Sequence, residues 1–166
     1  MELYIVRHGI AVDREDPKCP ADPERFLTDE GKEKSRQAAK GVAAVASIPD
    51  LMLSSPYLRA VQTAEIFADE LEYSKQKIRK SDLLLPGAEP LQLFRELSKD
   101  KDVSTVFVFG HAPHLDDLLA TAIGTKHHIS SLKKAGVAFV ELKRLVPPSG
   151  ELQWLATPKL LRKAGN

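Results

Sequence analysis

Two histidines follow short apolar segments, at points where strands are expected to end. His8 comes after the segment LYIV at 3–6, and His111 comes after TVFVF at 105–109 and one glycine. Ligands of open α/β sheets bind in the crevice beyond the carboxyl ends of the strands. If both strands are parallel and central, the two imidazoles therefore meet in one crevice.

Two arginines are expected at the same edge. Arg7 directly precedes His8, and Arg59 lies in the first turns of a helix predicted after a strand at 51–53. Guanidinium and imidazole groups gathered in one crevice repel one another when charged. A dianionic phosphate would neutralise them, and the arginine fork matches phosphate geometry. These residue types predict a phosphate site, either in an enzyme or in a non-catalytic phosphate-binding module.

The elements that must position these residues alternate along the first two-thirds of the chain. Strands are predicted at 3–6, 51–53, 77–79, 105–109, 137–145 and 151–156. Helices are predicted from the N-cap Thr28 to just before Pro49, at 56–71, at 89–99, and from about 112 to 123. This order predicts a single α/β domain over 1–166, built as a three-layer sandwich. Its central sheet is mostly parallel with helices on both faces, and an antiparallel C-terminal hairpin closes it around the loop 147–150.

A long loop is predicted between the first strand and the first helix. Residues 12–26 contain three prolines, several acidic residues and Cys19. Loops of this length in compact domains are often functional, and this one could fold over the crevice. His127 and His128 are expected in a second loop, exposed to solvent.

Composition excludes several classes of protein. The 166 residues carry 24 Lys and Arg against 23 Asp and Glu, so a net charge of +1 does not favour a nucleic-acid partner. No apolar run is long enough to span a membrane, and the N-terminus lacks a secretory signal. A lone cysteine, Cys19, cannot form an internal disulfide. We therefore expect a cytoplasmic monomer with no membrane partner.

Four segments in order resemble the histidine phosphatase superfamily, which includes phosphoglycerate mutases and acid phosphatases. They are LYIVRHG at 3–9, LTDEG at 27–31, SSPYLRAVQTA at 54–64 and GHAPH at 110–114. Within that superfamily the chain is most similar to small bacterial phosphohistidine phosphatases. The resemblance implies that His8 is the nucleophile that becomes phosphorylated. It also implies that Arg7 and Arg59 bind the phosphoryl oxygens and that His111 completes the pocket as a further donor.

The chemistry of the residues agrees with these implied roles. A neutral imidazole is a competent nucleophile near pH 7, so His8 should present one nitrogen as a lone pair and donate from the other to a backbone carbonyl. Arginines and a protonated His111 would stabilise the phosphoryl charge without a metal or another cofactor. His111 and His114 are three residues apart, but a zinc site needs more ligands.

One departure from the superfamily concerns the proton donor. Phosphoglycerate mutases carry a glutamate general acid after the second helix, where this chain has leucines at 83–85. Five carboxylates remain open as candidates: Asp13, Glu15, Asp16, Asp82 and Glu89. An imidazole leaving group has a conjugate acid with a pKa of about 6.5 and departs with less help than an alkoxide.

We therefore expect a phosphatase that acts on a phosphohistidine-bearing protein, such as a phosphorelay or phosphotransfer protein. The rival expectations are a small-molecule phosphomonoesterase on the same scaffold and the non-catalytic phosphate-binding module.

Overall fold

The computed structural model describes residues 1–127 and 129–165. Its strands are β1 (Glu2–Arg7), β2 (Leu51–Ser54), β3 (Arg79–Lys80), β4 (Thr105–Gly110), β5 (Val137–Leu145) and β6 (Pro148–Ala156). Its helices are α1 (Asp29–Ala43), α2 (Leu58–Glu70), α3 (Pro90–Leu97), α4 (His114–Ala122) and α5 (Pro158–Ala164). Within these residues no helix is both long and apolar enough to cross a membrane.

The strands form one mixed six-stranded sheet in the order β3-β2-β4-β1-β5-β6. The first four strands are parallel, whereas β5 runs antiparallel to β1 and β6 antiparallel to β5. The register of β1 with β4 pairs Arg7 with Gly110, so His8 and His111 each lie one residue beyond the paired ends. The predicted α/β fold, with its C-terminal hairpin, is confirmed.

Both faces of the sheet are covered, because alternate residues of each central strand belong to two different cores. Leu3 and Ile5 of β1 pack in a core with residues of α3 and α4. Tyr4 and Val6 pack in a second core with residues of α1, α2 and α5. A strand buried on both faces has apolar residues throughout, which explains the uninterrupted segment at 3–6. Each large apolar side chain buried in this way stabilises the fold by about 1.5–3 kcal/mol.

The C-terminal region differs from the expectation in two respects. The hairpin turn is tight, because β6 already begins at Pro148 and pairs it with Leu145, so the predicted loop 147–150 is wrong. Helix α5 was not predicted. It begins after Thr157, whose hydroxyl accepts a hydrogen bond from the backbone of Leu160, and of its residues only Leu161 is buried. A seven-residue helix with one buried side chain carries too little periodicity to be detected.

Some boundaries also shift. Helix α1 ends at Ala43 rather than just before Pro49, and α3 ends at Leu97 rather than at 99. Strand β3 has only two residues, Arg79 and Lys80. His127 is exposed in a bend, whereas His128 lies outside the described residues.

Candidate active site

The two predicted histidines lie together at the carboxyl edge of the sheet. The ring centroids of His8 and His111 are 5.1 Å apart with an interplanar angle of 56°. Both side chains are buried, with 8% of His8 and 3% of His111 exposed. The expected convergence of the two imidazoles in one crevice is therefore seen in the structure.

The hydrogen bonds of His8 define its tautomer. Nδ1 lies 2.7 Å from the carbonyl oxygen of Gly9. A carbonyl can only accept, so Nδ1 carries the proton and donates it, as the sequence analysis expects. On the other side of the ring, Nε of Arg59 donates to Nε2 at 3.3 Å. The lone pair of Nε2 therefore faces the Arg59 guanidinium.

Burial keeps the His8 imidazole uncharged. Desolvation above all, and then the charges of Arg59, Arg7 and Lys134, lower the pKa of His8 from 6.5 to about 3, against the hydrogen bond to Gly9. At neutral pH Nε2 thus keeps an unprotonated electron pair, which a nucleophile needs and which here accepts the hydrogen bond from Arg59.

The turn after His8 requires glycine because helix α1 approaches it closely. A Cβ atom on Gly9 would lie 2.4 Å from the hydroxyl oxygen of Ser35, which is buried in α1. The amide of Gly9 donates to the hydroxyl of Thr63 at 3.0 Å, and that hydroxyl donates to the carbonyl of Arg59 at 2.7 Å. These contacts fix the turn that carries His8 against the first turns of α2, which carry Arg59.

Arg59 is 3% exposed, and all three nitrogen atoms of its guanidinium group donate hydrogen bonds. Beyond its contact with His8, Nη1 donates to the backbone oxygen of Asp22 at 2.6 Å, and Nη2 donates to the Asp22 carboxylate at 3.3 Å. The guanidinium carbon lies 5.1 Å from the ring centroid of Tyr57, within cation–π distance. Arg59 thus connects the predicted nucleophile to the long loop.

Asp22 is a site residue that sequence reasoning missed. It opens a short 3-10 turn (Asp22–Glu24) in the loop after β1. Burial opposes its ionisation, but a hydrogen bond from Arg25 and the charges of Arg59 and Arg14 outweigh this and lower the pKa of Asp22 from 3.8 to about 2. The ionised Asp22 carboxylate therefore already contacts the guanidinium of Arg59, which is predicted to bind phosphate. The loop has many acidic residues, and nothing in its composition distinguishes this one.

Arg7 points its guanidinium toward the segment that precedes β5. Nη1 donates to the carbonyl oxygen of Leu132 at 2.6 Å, whereas the buried Nε has no hydrogen-bond partner among the described residues. Asp116, in the first turn of α4, supports this arrangement. Its carboxylate accepts from the amide of Leu132 at 2.9 Å and from the hydroxyl of Ser130 at 2.8 Å. Asp116 thus fixes Leu132, whose carbonyl orients Arg7. Asp116 is a second positioning residue that the sequence did not reveal.

His111 departs from the expectation that it is protonated. Desolvation lowers its pKa from 6.5 to about 3, and the charges of His8 and Arg59 act in the same direction. Nε2 lies 2.8 Å from the hydroxyl of Ser55, and no described residue gives the buried Nδ1 a hydrogen-bond partner. Burial, helped by neighbouring charges, therefore disfavours the protonated form in the site as it stands, and protonation of His111 with a phosphoryl group bound stays a prediction.

The five carboxylates left open as proton donors all lie at the surface: Asp13, Glu15, Asp16, Asp82 and Glu89. The Asp13 and Asp16 side chains accept from amides of their own loop, and Glu89 caps α3. None of the five has a hydrogen bond or ion pair to His8, Arg59 or His111 in the described part of the chain.

Metal-binding residues are not clustered here. Across residues 1–127 and 129–165, no three His, Cys, Asp or Glu side chains lie close enough together to hold a metal ion. His114 instead donates from Nε2 to the carbonyl of Leu83 at 3.1 Å. Cys19 lies half-buried in the long loop, with its thiol 3.4 Å from the carbonyl oxygen of Pro20.

Comparison with known proteins gives three findings. Residues 3–84 match the sequence model of the histidine phosphatase superfamily (branch 1). The chain is 34% identical over 145 residues to an uncharacterised protein of Picosynechococcus sp., covering 82% of each chain. It is also 35% identical over 77 residues to a mannitol-1-phosphatase of Eimeria tenella, which covers 42% of this chain and 25% of the relative.

A solved structure extends the similarity to nearly the whole fold. The protein histidine phosphatase SixA, in complex with tungstate, superimposes with a TM-score of 0.84 at 25% identity. The superposition covers 96% of this chain and 98% of SixA.

Proposed function

This chain belongs to the histidine phosphatase superfamily and is a phosphatase, and we propose that it hydrolyses phosphohistidine on a protein through a phosphorylated His8. Three features of the site support this proposal. Nε2 of His8 is unprotonated, an arginine donates a hydrogen bond to that same nitrogen, and a second imidazole lies beside it.

The observation that carries the proposal is a pair of buried polar atoms. Nε of Arg7 and Nδ1 of His111 are the buried side-chain polar atoms that lack a hydrogen-bond partner within the described residues. Leaving such an atom unpaired costs about 1–3 kcal/mol. Both atoms belong to residues predicted to bind the phosphoryl group, whose oxygens accept hydrogen bonds. A phosphoryl group between the ends of β1 and β4 would satisfy them.

The proposed reaction has two displacements at phosphorus. When the substrate enters, the Nε–H of Arg59 turns from His8 to a phosphoryl oxygen and frees the lone pair of Nε2. Nε2 then forms a bond to phosphorus while the bond to the substrate imidazole breaks, and that imidazole takes a proton from solvent. Water next attacks the phosphorylated His8 and releases inorganic phosphate. Throughout, the Nδ1–H of His8 remains on the Gly9 carbonyl and stabilises the charge that develops on the ring.

The protonation of the site favours phosphohistidine over alkyl esters. Asp22 is the carboxylate that contacts Arg59, and its pKa of about 2 means that it holds no proton at neutral pH. An alkoxide leaving group would depart without a general acid, which typically contributes 10²–10⁴-fold to the rate. An imidazole leaving group needs far less assistance.

A small-molecule phosphomonoesterase is the second candidate. The observation in its favour is the partial similarity to the mannitol-1-phosphatase of Eimeria tenella. Such a substrate has an alkyl leaving group, so the two candidates differ in the bond that must break.

A side-by-side turnover assay distinguishes them. The wild-type protein is given a phosphohistidine peptide, aryl phosphates of graded leaving-group pKa, and mannitol 1-phosphate. We expect kcat/KM to be highest for phosphohistidine, lower for the aryl phosphates as the leaving-group pKa rises, and lowest for mannitol 1-phosphate. The same series on Asp22→Asn tests whether that carboxylate supplies a proton. Fast hydrolysis of mannitol 1-phosphate that is lost in Asp22→Asn would contradict the proposal, and binding without turnover of any substrate would favour the non-catalytic module.

A further inference from the structure

A cavity of about 610 Å³ opens beside the active site, and its walls are strongly cationic. Six of its ten lining residues are basic: Arg7, Lys34, Lys133, Lys134, Lys159 and Arg162. None of the ten is acidic. The net charge of the whole chain is only +1, so this concentration of positive charge is local.

The cations of the cavity are largely uncompensated. Lys34 pairs with Glu30 at 2.6 Å. The ion pairs found within the described residues include none of the other five cations. The lysines and Arg162 are exposed, so a ligand from solvent can reach them. Like charges held together without counter-ions favour an anionic ligand.

The cavity adjoins the reaction centre through the segment that carries Lys133 and Lys134. The amide of Ala135, the next residue, donates to the backbone oxygens of Arg7 at 3.0 Å and His8 at 3.1 Å. Lys134 is close enough to His8 for its charge to act on the imidazole. A protein whose phosphohistidine reaches His8 therefore places its neighbouring residues over this cavity.

We propose that the cationic cavity binds acidic side chains that flank the phosphohistidine of the substrate protein. This inference rests on the proposed function and adds the surface chemistry of the substrate. Carboxylates complement the lysines and Arg162, and such complementarity steers a charged partner into the orientation needed for transfer. The cavity is separate from the phosphoryl-binding set, apart from Arg7, which lies at the junction of the two.

Two matched peptides test the proposal. Both carry phosphohistidine, one flanked by Asp and Glu and the other by Asn and Gln at the same positions. We expect the wild-type protein to have a higher kcat/KM for the acidic peptide. The two peptides should differ in KM rather than in kcat, and the advantage of the acidic peptide should fall steeply at high salt. The Lys159→Ala, Arg162→Ala double variant should lower the ratio of the two kcat/KM values by about three- to tenfold, as expected for exposed ion pairs. Lys101→Ala removes an exposed lysine outside the cavity and should keep the wild-type ratio.

A binding measurement separates this inference from the proposed function. A fluorescent, unphosphorylated deca-aspartate should bind the wild-type protein and Lys101→Ala equally, and the double variant several-fold more weakly. Equal kcat/KM for the two peptides, or unchanged deca-aspartate binding in the double variant, would overturn the inference. If neither phosphohistidine peptide is hydrolysed while aryl phosphates are, the proposed function fails, and the deca-aspartate result still decides whether the cavity binds acidic side chains.

Discussion

The residues of the site combine uncharged imidazoles with charged guanidinium groups in a small buried volume. His8 and His111 lose most of their contact with water, and the neighbouring arginines further disfavour a positive charge on either ring. This arrangement would keep the proposed nucleophile unprotonated at neutral pH and direct positive potential at the proposed phosphoryl position. The negative charge of a phosphoryl group would balance the positive charge of the site.

Three buried imidazoles, those of His8, His111 and His114, make stability depend on pH. The pKa values of His8 and His111 are lowered from 6.5 to about 3, and burial lowers that of His114 as well, so the unfolded chain binds more protons than the folded one below pH 6.5. Stability is therefore complete above pH 6.5 and falls as the pH drops toward 3. We expect the free energy of unfolding in urea to fall by up to about 2 kcal/mol for each histidine between pH 7 and pH 5. Asp22, with pKa values of 3.8 unfolded and about 2 folded, titrates below this window.

The variant His111→Gln retains a polar side chain but cannot titrate. It should lose the part of the pH dependence between pH 7 and pH 5 that His111 contributes, up to about 2 kcal/mol, and keep the part that His8 and His114 contribute. Equal stability of the wild-type protein at the two pH values would mean that the imidazoles are not held neutral by burial.

Arg59 contacts both the predicted nucleophile and the loop, so its removal should weaken anion binding strongly. We expect Arg59→Ala to raise the Kd for tungstate by about 30-fold, or about 2 kcal/mol, as is typical of charge-assisted hydrogen bonds. Arg36→Ala, on the exposed face of α1, serves as the matched control and should bind tungstate normally. The Kd is measured by calorimetric titration with tungstate. If folded Arg59→Ala binds tungstate with wild-type affinity, Arg59 lies outside the phosphoryl site.

At the scale of elements, the long loop after β1 controls access to Arg59. Its two ends are joined by a bridge between Ala11 and Leu27, and its 3-10 turn brings Asp22 onto the guanidinium. The Asp22 carboxylate accepts from Nη2 of Arg59, the donor beside the Nε–H that we propose turns to a phosphoryl oxygen. Substrate binding must therefore displace this contact or share it.

Removing the Asp22 charge should therefore strengthen anion binding. We expect Asp22→Asn to lower the Kd for tungstate about fivefold, equivalent to roughly 1 kcal/mol for a partly exposed ion pair. Asp13→Asn removes a charge from the exposed part of the same loop and should leave the Kd unchanged. Weaker binding in Asp22→Asn would mean that Asp22 holds Arg59 in place rather than competing with the ligand.

Strands and helices are predicted well from the sequence where their buried residues form a clear apolar pattern. The central strands could be placed because both faces are buried, and the ends of β1 and β4 then located His8 and His111 correctly. Helix α5 was not found because it buries one residue, Leu161. The contacts of Asp22 with Arg59 and of Arg7 with Leu132 could not be predicted, because they depend on the paths of loops rather than on periodicity.

At the scale of the whole molecule, the sheet order concentrates function at one edge. Placing β1 between β4 and β5 brings the site histidines together and sets the segment before β5 against the end of β1. The proposed phosphoryl site and the cationic cavity therefore lie side by side, although the net charge of the chain is nearly balanced. The similarity to SixA extends over this same framework, and the family model matches its first part, residues 3–84.

The central claim is that the phosphoryl group passes from substrate histidine to His8 and then to water. Rapid quenching of a single turnover, with a peptide carrying ³²P-phosphohistidine, tests it most directly. We predict a transient acid-labile label on the wild-type protein and on His127→Ala, whose imidazole is exposed outside the site. His8→Ala should show neither the label nor release of inorganic phosphate. Release of phosphate by His8→Ala, or wild-type turnover without any labelled protein, would contradict the account.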